Sequence, residues 1–360
     1  MKTKLVYVLT CAPEKHYIEQ ALMSVFSARH WNPNAHIVLI VDNLTDQLLV
    51  GKRAEVLDYV SEKIVVPFED SGFSMIYRSR WIKTSVRQLI KGDFLFIDCD
   101  TLVCCDLSEI DTFDCEVGAV WDSHLRVEEY YPSLFNQSRN RVAKLGVDLE
   151  SEKVYFSSGV IYVKDTNLAN ELYRLWNEFW EESKTVGLGG ADQPALTKAN
   201  HVLGKVIKKI PDVYNCIVFT QNSFTRQAKV LHISSYRNPS YLFTEKVLSF
   251  IQCNGLKNRW LVESVLNPCA TFLPFDNDIL HSDRKQRREW VKEIAVFSRG
   301  YGETIDNSFT DFPMASRFRF VVVGLMRIRW NRFSARLWML WKRYYVWSHR
   351  SIIKDNVCRK

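Results

Sequence analysis

The first hundred residues alternate between apolar segments and segments with helical spacing. Buried strands are predicted for the apolar segments Leu5–Thr10, His36–Asp42, Lys63–Phe68 and Phe94–Asp98. Helices are predicted between them, near residues 14–29, 45–60 and 76–91. Strands and helices in alternation predict βαβ units. The expected fold class is therefore α/β with a mostly parallel, buried central sheet.

The alternation becomes less regular after residue 100. Further strands are predicted at Val117–Trp121, Val154–Val163, Lys205–Ile210 and Lys229–Ser234, with a helix over residues 166–183. The glycine-rich segment Gly187–Pro194 leads into another predicted helix start. Residues 241–312 have a mixed, mostly helical pattern. With 360 residues and 47% hydrophobic side chains, the chain is long enough for about two folding units. We expect a catalytic region over 1–240, a helical extension over 241–312 and a basic tail over 313–360.

Two carboxylates stand at the end of the fourth predicted strand, in the segment DFLFIDCD. Asp98 closes the strand and Asp100 follows two residues later, at the sheet edge where parallel sheets bind ligands. Two close carboxylates repel each other unless a cation lies between them or one is protonated. Such oxygen ligands suit Mg²⁺ or Mn²⁺. For two aspartates without further motif residues, a helix-capping or turn role is the commoner alternative. Cys99 lies between them and is expected to pack on the other face of the strand.

Four further segments accompany this pair in a fixed order: Tyr77–Lys83 before it, and Phe156–Val163, Gly189–Pro194 and Val230–Arg237 after it. Together with the D-x-D pair, they resemble the blocks of the GT-A glycosyltransferases. Within these the chain resembles retaining family 8, which includes glycogenin and bacterial lipopolysaccharide galactosyl- and glucosyltransferases. The resemblance covers roughly residues 1–240. It implies a GT-A, Rossmann-like nucleotide-diphospho-sugar transferase fold, followed by a helical C-terminal region.

The resemblance implies a role for several residues. Asp98, Asp100 and His232 would hold Mn²⁺ (or Mg²⁺), which would bridge the diphosphate of a nucleotide sugar. Asp192 would bind hydroxyls of the donor sugar and Gln193 would face the reacting carbon. Since Gln193 is a poor nucleophile, front-face departure and attack is expected. A structural histidine at position 232 and a helix-capping Asp192 are the alternatives.

The resemblance implies that nine further residues would contact the donor. They are Thr10, Tyr17, Asp42, Arg80, Lys83, Ser157, Ser158, Gly159 and Arg237. Arg80 and Lys83 compete for the phosphate contact, and ordinary turn or core roles are the alternative for Thr10, Tyr17 and Asp42. Two blocks depart from the family pattern. Ser157 replaces the usual Asn, and in the last block Ser235 replaces Gly while Arg237 stands one position before the usual Lys.

The basic tail concentrates the charge of the chain. The formal net charge is +7, and residues 313–360 contain twelve Lys or Arg and one acid, Asp355. An apolar stripe with helical spacing runs from Met326 to Trp347, with Arg329, Arg332, Arg336 and Arg343 along its flank. This pattern predicts that residues 316–350 bind an anionic membrane surface. A helix packed on the catalytic region is the alternative, and no motif predicts nucleic-acid binding.

The resemblance thus implies a retaining hexosyltransferase. It would move a sugar, with UDP as the expected nucleotide, to a hydroxyl of a glycan or lipid-linked acceptor in lipopolysaccharide or other surface-polysaccharide synthesis. The nine cysteines include no C-x-x-C pair, and no long apolar segment precedes Leu5, so a cytoplasmic location is expected, peripheral on the inner face of the membrane. Two alternatives stay open. One is a nucleotide-sugar nucleotidyltransferase, disfavoured because the segment after Thr10 lacks glycine. The other is a catalytically silent protein that binds glycans or lipids.

Overall fold

A computed structural model describes residues 1–69, 72–130, 132–217, 227–233, 241–243 and 245–268. The strands are β1 Lys4–Leu9, β2 Ile37–Asp42, β3 Glu62–Val66, β4 Phe94–Ile97, β5 Thr101–Val103, β6 Val117–Trp121, β7 Phe156–Val163, β8 Ile207–Lys209, β9 Cys216–Ile217 and β10 Val230–His232. The α-helices are α1 Tyr17–Trp31, α2 Asn43–Asp46, α3 Met75–Thr84, α4 Val86–Leu89, α5 Pro132–Ala143, α6 Leu149–Glu152, α7 Asn167–Thr185, α8 Asp192–Val202, α9 Glu245–Asn254 and α10 Arg259–Leu266. Short 3₁₀ segments connect several of them.

The central sheet has seven strands in the order β3-β2-β1-β4-β7-β6-β8. Strands β3, β2, β1 and β4 pair in parallel, as do β6 and β8. Strand β7 is antiparallel to both of its neighbours. The predicted α/β class with a mostly parallel sheet is therefore confirmed.

One predicted helix is divided in two. The segment near residues 45–60 forms the short helix α2 and a 3₁₀ segment, Gly51–Tyr59. Gly51 has a φ of 57°, in the left-handed region. Because an α-helix requires negative φ, the chain cannot continue as one helix through this residue.

Helices cover both faces of the sheet. In β1, Leu5, Tyr7 and Leu9 pack in a core cluster with α1, whereas Val6 faces a second cluster that includes residues of α3, α7 and α8. The alternation follows from the period of two along a strand. A strand buried on both faces must be apolar throughout, which explains the nearly unbroken apolar segments of the sequence.

Helices α9 and α10 pack on the α1 side of the sheet. Leu248, Ile251 and Leu261 are buried in the same core cluster as Leu5 and Leu22. The described residues after position 240 therefore complete the core of the region before it. The region boundaries inferred from the sequence stay predictions, and the basic tail lies outside the described residues.

A small second sheet brings a distant segment to the main one. Its order is β5-β10-β9, and β10 pairs antiparallel with β5 so that His232 lies opposite Thr101. Strand β5 directly follows the D-x-D segment at the end of β4. This pairing places His232 close to residues 98–100, although more than a hundred residues separate them in the sequence.

Candidate active site

The candidate site lies where several strand ends meet. Strand β4 ends at Ile97, and the backbone N–H of Asp98 donates to the carbonyl of Gly159 at 2.8 Å. Since β7 runs antiparallel to β4, its first residues lie at the carboxyl end of β4. The end of β6 is here too, because the N–H of Asp122 donates to the carbonyl of Tyr155 at 2.7 Å.

Two carboxylates and an imidazole converge at this edge. One ligand atom from each of Asp98, Asp100 and His232 lies within 4.8 Å of the other two. His232 Nε2 is 3.3 Å from Asp100 Oδ1. Two oxygen donors and one nitrogen donor form a set that can hold a divalent metal ion. The three residues predicted to hold a metal are thus brought together with donor chemistry that fits one.

The rear nitrogen of His232 is held by a buried amide. His232 Nδ1 lies 2.9 Å from Asn215 Oδ1, and Asn215 is fully buried. A carbonyl oxygen can only accept, so Nδ1 carries the proton and donates it. Nε2 is left for the side that faces the carboxylates, which is the arrangement of a metal-binding histidine.

Two cations of α3 face the carboxylates. Lys83 Nζ lies 3.1 Å from both carboxylate oxygens of Asp98 and 3.2 Å from Asp192 Oδ2. Arg80 Nε lies 3.5 Å from Asp192 Oδ1. The side chain of Lys83 is 3% exposed and that of Arg80 is 35% exposed. Lys83 is therefore an internal partner of the carboxylates, whereas Arg80 also faces solvent.

Asp192 is fixed by side chains and by its own backbone. It is the first residue of α8, and its carboxylate accepts from Ser158 Oγ at 2.9 Å instead of capping the helix. Its carbonyl accepts from Trp176 Nε1 at 2.8 Å, while Trp180 Nε1 donates to the carbonyl of Gly190 at 2.9 Å. Two buried tryptophans of α7 thus hold the glycine-rich loop that places Asp192.

The electrostatic environment moves the pKa values of Asp192 and Asp98 in opposite directions. Burial alone would raise the pKa of Asp192, but the nearby Arg80 and Lys83 and the hydrogen bond from Ser158 outweigh it and hold that pKa well below its usual range. Burial raises the pKa of Asp98, and the charge of Asp100 adds to the rise while Lys83 opposes it. A cation between Asp98 and Asp100 would relieve this repulsion.

Gln193 is anchored next to Asp192. Its Nε2 donates to the carbonyl of Phe156 at 3.0 Å, and its amide also hydrogen-bonds to the carboxylate of Asp122. Burial raises the pKa of Asp122, against the lowering effect of that hydrogen bond. The side-chain amide is therefore held from two sides at the edge of the site.

The start of β7 passes through the middle of the site. Ser158 contacts Asp192 and Lys83, at 2.9 and 3.4 Å. Ser157 Oγ accepts from Asn215 Nδ2 at 3.0 Å. A Cβ on Gly159 would overlap the imidazole of His232. These three residues, predicted to contact a donor, pack against or hydrogen-bond to the residues around the candidate metal ligands.

Thr10 follows β1, Tyr17 begins α1 and Asp42 ends β2. Thr10 Oγ1 donates to the carbonyl of Met75 at 3.3 Å, and Tyr17 packs against the core cluster that contains Leu5. Asp42 is fully buried, caps α2 through the N–H of Thr45 and pairs with Arg78 at 2.6 Å. Asp42 therefore has a structural role, and its predicted donor contact stays a prediction. Arg237 lies outside the described residues.

Sequence reasoning missed Asp122 and Asn215. Asp122 directly follows the predicted strand Val117–Trp121, just as Asp98 follows β4, so the same signal could have identified it. Asn215 ends the 3₁₀ segment Asp212–Asn215, where no local pattern indicates a role. Its partner His232 is 17 residues further along the chain.

No family model matches the sequence, and no curated protein matches it. Among solved structures, the chain is similar to the apo form of mouse xyloside xylosyltransferase 1, with a TM-score of 0.41 and 14% identity over 64% of this chain and 97% of that chain. It is similar to the galactosyltransferase LgtC in complex with donor and acceptor sugar analogues (TM-score 0.45, 13% identity, 80% of this chain and 100% of that chain). It is also similar to the glycosyltransferase GlyE of Streptococcus pneumoniae TIGR4 (TM-score 0.43, 16% identity, 76% and 66%). These solved structures are glycosyltransferases, the class that the sequence resemblance names. The identities and TM-scores are low, so the function proposed below rests on the contacts of the site.

Proposed function

We propose that the chain is a metal-dependent glycosyltransferase. It would move a sugar from a nucleotide-diphosphate donor, with UDP as the expected nucleotide, to a hydroxyl group of an acceptor. The observation that carries this proposal is the convergence of Asp98, Asp100 and His232 within 4.8 Å beside the cations of α3. A metal ligand set next to basic side chains is what a diphosphate requires.

The charges of the cluster favour binding of a metal cation first and of the donor diphosphate after it. Asp98, Asp100 and Asp192 face Arg80 and Lys83. Asp122 adds a fourth carboxyl group near His232. A divalent ion would add two positive charges to this cluster. The loaded site would then attract a diphosphate more strongly than the empty site.

The two cations have different tasks in this proposal. Lys83 forms ion pairs with Asp98 and Asp192 and is almost fully buried, so it opposes the rise in the pKa of Asp98, lowers the pKa of Asp192 and holds both side chains in place. Arg80 contacts Asp192 from one side and is partly exposed, so its guanidinium can reach a phosphate oxygen. We therefore assign the phosphate contact to Arg80 rather than to Lys83.

Asp192 and Gln193 would bind the sugar. The low pKa of Asp192 keeps its carboxylate ionised as an acceptor for sugar hydroxyls. Gln193 is fixed by Phe156 and Asp122, and an amide is too weak a nucleophile to form a stable covalent intermediate. Departure and attack on the same face of the sugar would retain the anomeric configuration. The bound metal would supply Lewis-acid stabilisation of the departing diphosphate.

The basic tail suggests the setting of the reaction. Residues 316–350 combine an apolar stripe with arginines, and we propose that they contact an anionic membrane at its cytoplasmic face. The acceptor would then be a lipid-linked glycan in lipopolysaccharide or another surface polysaccharide. Among the described residues, no helix combines the length and apolar character needed to cross a membrane.

A donor panel tests the activity directly. Release of UDP from candidate UDP-sugars is measured with Mn²⁺ and with EDTA, in the wild type and in Asp100→Asn. We expect release that requires Mn²⁺ and falls at least about a hundredfold in the variant, since one of the carboxylates that would bind the metal is lost. Asp114→Asn, at an exposed position, is the matched control and should keep full activity. Release that is unaffected by EDTA and by Asp100→Asn would contradict the proposal, as would no release with any donor.

A further inference from the structure

A chain of buried polar side chains stands behind His232. Asn215 Oδ1 lies 2.9 Å from Nδ1 of His232, and Asn215 Nδ2 donates to Ser157 Oγ at 3.0 Å. The backbone N–H of Gly159 donates to the same Oγ at 3.3 Å. Asn215 is fully buried and Ser157 is 5% exposed. Burying an amide is unfavourable unless its groups are paired, and here both ends of the amide are used.

The amide determines which nitrogen of His232 faces the carboxylates. Asn215 Nδ2 donates to Ser157 Oγ, so its Oδ1 points at the imidazole and accepts the proton of Nδ1. The imidazole can then offer Nε2 as a lone-pair donor on the side of Asp100, 3.3 Å away. Reversing the amide would place two donors against each other at His232. Ser157 therefore acts on the imidazole through Asn215.

The segment around Asn215 is held by His124, whose backbone has a strained conformation. His124 contacts Asp212 through Nδ1 at 3.2 Å, and its Nε2 accepts from the N–H of Ile217 at 2.9 Å. These contacts fix the segment 212–217 at a residue before Asn215 and at a residue after it. Ser123 and His124 have φ values of 57° and 59°, which cost of order 1–3 kcal/mol each and persist only where the surroundings enforce them. The strained backbone of Ser123 and His124 thus supports the segment that contains Asn215, the residue that orients His232.

We propose that Asn215 is a positioning residue for a metal ligand. It fixes the tautomer and the ring orientation of His232, and Ser157 fixes the orientation of Asn215 in turn. The inference rests on the metal site of the proposed function, but it does not depend on sugar transfer. Outer partners of ligating histidines support metal affinity by about 10–100-fold.

Mn²⁺ alone is the probe. The full chain is titrated with Mn²⁺ without donor or acceptor, and free Mn²⁺ is followed by its electron paramagnetic resonance signal. Asn215→Ala is expected to weaken Mn²⁺ affinity by about 10–100-fold. Asn215→Asp, whose carboxylate can still accept from Nδ1, should restore most of that loss. Ser157→Ala removes only the outer link, so its loss should be smaller, and it serves as the second variant if Asn215→Ala does not fold.

A matched control separates orientation from general stability. Asn200 is also a buried asparagine in a side-chain hydrogen bond, to the N–H of Ile207 at 2.9 Å, and it lies about 12 Å along α8 from Asp192. Asn200→Ala should lower the melting temperature but leave Mn²⁺ affinity unchanged. If the wild type binds Mn²⁺ and Asn215→Ala and Ser157→Ala bind it equally well, the positioning role is wrong while the metal site stands. If the wild type does not bind Mn²⁺, the metal site and this inference are both overturned, whatever the outcome of the donor panel.

Discussion

Gly159 lies where the ring of His232 packs against strand β7. A Cβ at this position would lie 2.6 Å from Nδ1 of His232 and would overlap Cε1. Gly159→Ala must therefore displace the imidazole from the carboxylates. We expect Mn²⁺ affinity to fall by at least about tenfold, as for the loss of an outer ligand partner. Calorimetric titration with Mn²⁺ measures the change.

The neighbouring strand provides the control for this substitution. A Cβ on Gly118 would lie 2.5 Å from Cγ2 of Ile210, a similar steric conflict away from the carboxylates. Overpacking of this kind costs about 1–3 kcal/mol. Gly118→Ala should thus destabilise the fold without weakening Mn²⁺ binding. Equal losses of affinity in the two variants would show that the His232 contact is not the cause.

Asp192 gives the site a pH dependence with a definite sign. Its pKa in the folded protein lies below its ordinary value of 3.8, because Arg80 and Lys83 outweigh the effect of burial. The unfolded chain binds this proton first as the pH falls, so the stabilisation from the ionised group is complete above about pH 5 and is lost progressively below that.

Asp192→Asn removes this stabilisation and tests the sign. The difference in the free energy of unfolding between wild type and variant should be largest near pH 7 and should shrink below about pH 4. Urea unfolding in EDTA at several pH values measures it. A difference that stays constant or grows toward acid would contradict the assigned ion pairs.

At the scale of elements, a buried ion pair joins β2 to the helix that carries the cations. Asp42 Oδ2 lies 2.6 Å from Nε of Arg78, with side chains 0% and 6% exposed. Arg78→Met leaves the carboxylate buried without its partner, which costs about 3–5 kcal/mol. Since Arg80 and Lys83 are on the same helix, α3, donor turnover should fall as well. Urea unfolding with the UDP-release assay checks both.

The double variant shows whether the charge is the cause. Asp42→Asn combined with Arg78→Met removes the unpaired carboxylate and should recover part of the stability lost in Arg78→Met. Additive losses would instead mean that each side chain acts through separate packing.

The elements of the site differ in how far the sequence could predict them. The positions of Asp42 and Asp98 at strand ends can be predicted from the local apolar segments. A parallel sheet then places both residues at one edge. The antiparallel direction of β7 and the pairing of β10 with β5 are long-range, and β10 has only three residues. Only the resemblance to a family predicted that His232 would join the pair. The contact of Asn215 with His232 depends on the same pairings, so local pattern could not predict it.

At the scale of the whole molecule, the C-terminal helices belong to the core of the sheet. Leu248, Ile251 and Val265 are 4%, 1% and 0% exposed, in the cluster that contains α1. A chain ending at Ser240 would expose the apolar surface beneath them, at roughly 25 cal/mol per Å². We expect that chain to aggregate or to unfold at lower urea than a chain ending at Pro268. Equal midpoints would contradict a core role for α9 and α10.

The proposed membrane contact of the basic tail leads to a prediction for the whole molecule. Residues 313–360 contain twelve Lys or Arg against one acid, and each basic residue near an anionic surface contributes about 1 kcal/mol. The full chain should float with vesicles that contain phosphatidylserine and remain free with phosphatidylcholine alone. Replacing Arg329, Arg332, Arg336 and Arg343 with Gln should weaken flotation strongly, whereas UDP release in solution should stay unchanged because the proposed site is built from residues before position 240. High salt should release the wild type, since exposed charges are screened beyond about 8–10 Å. If a chain ending at Phe312 floats as well as the full chain, the membrane contact lies elsewhere and the tail has another role.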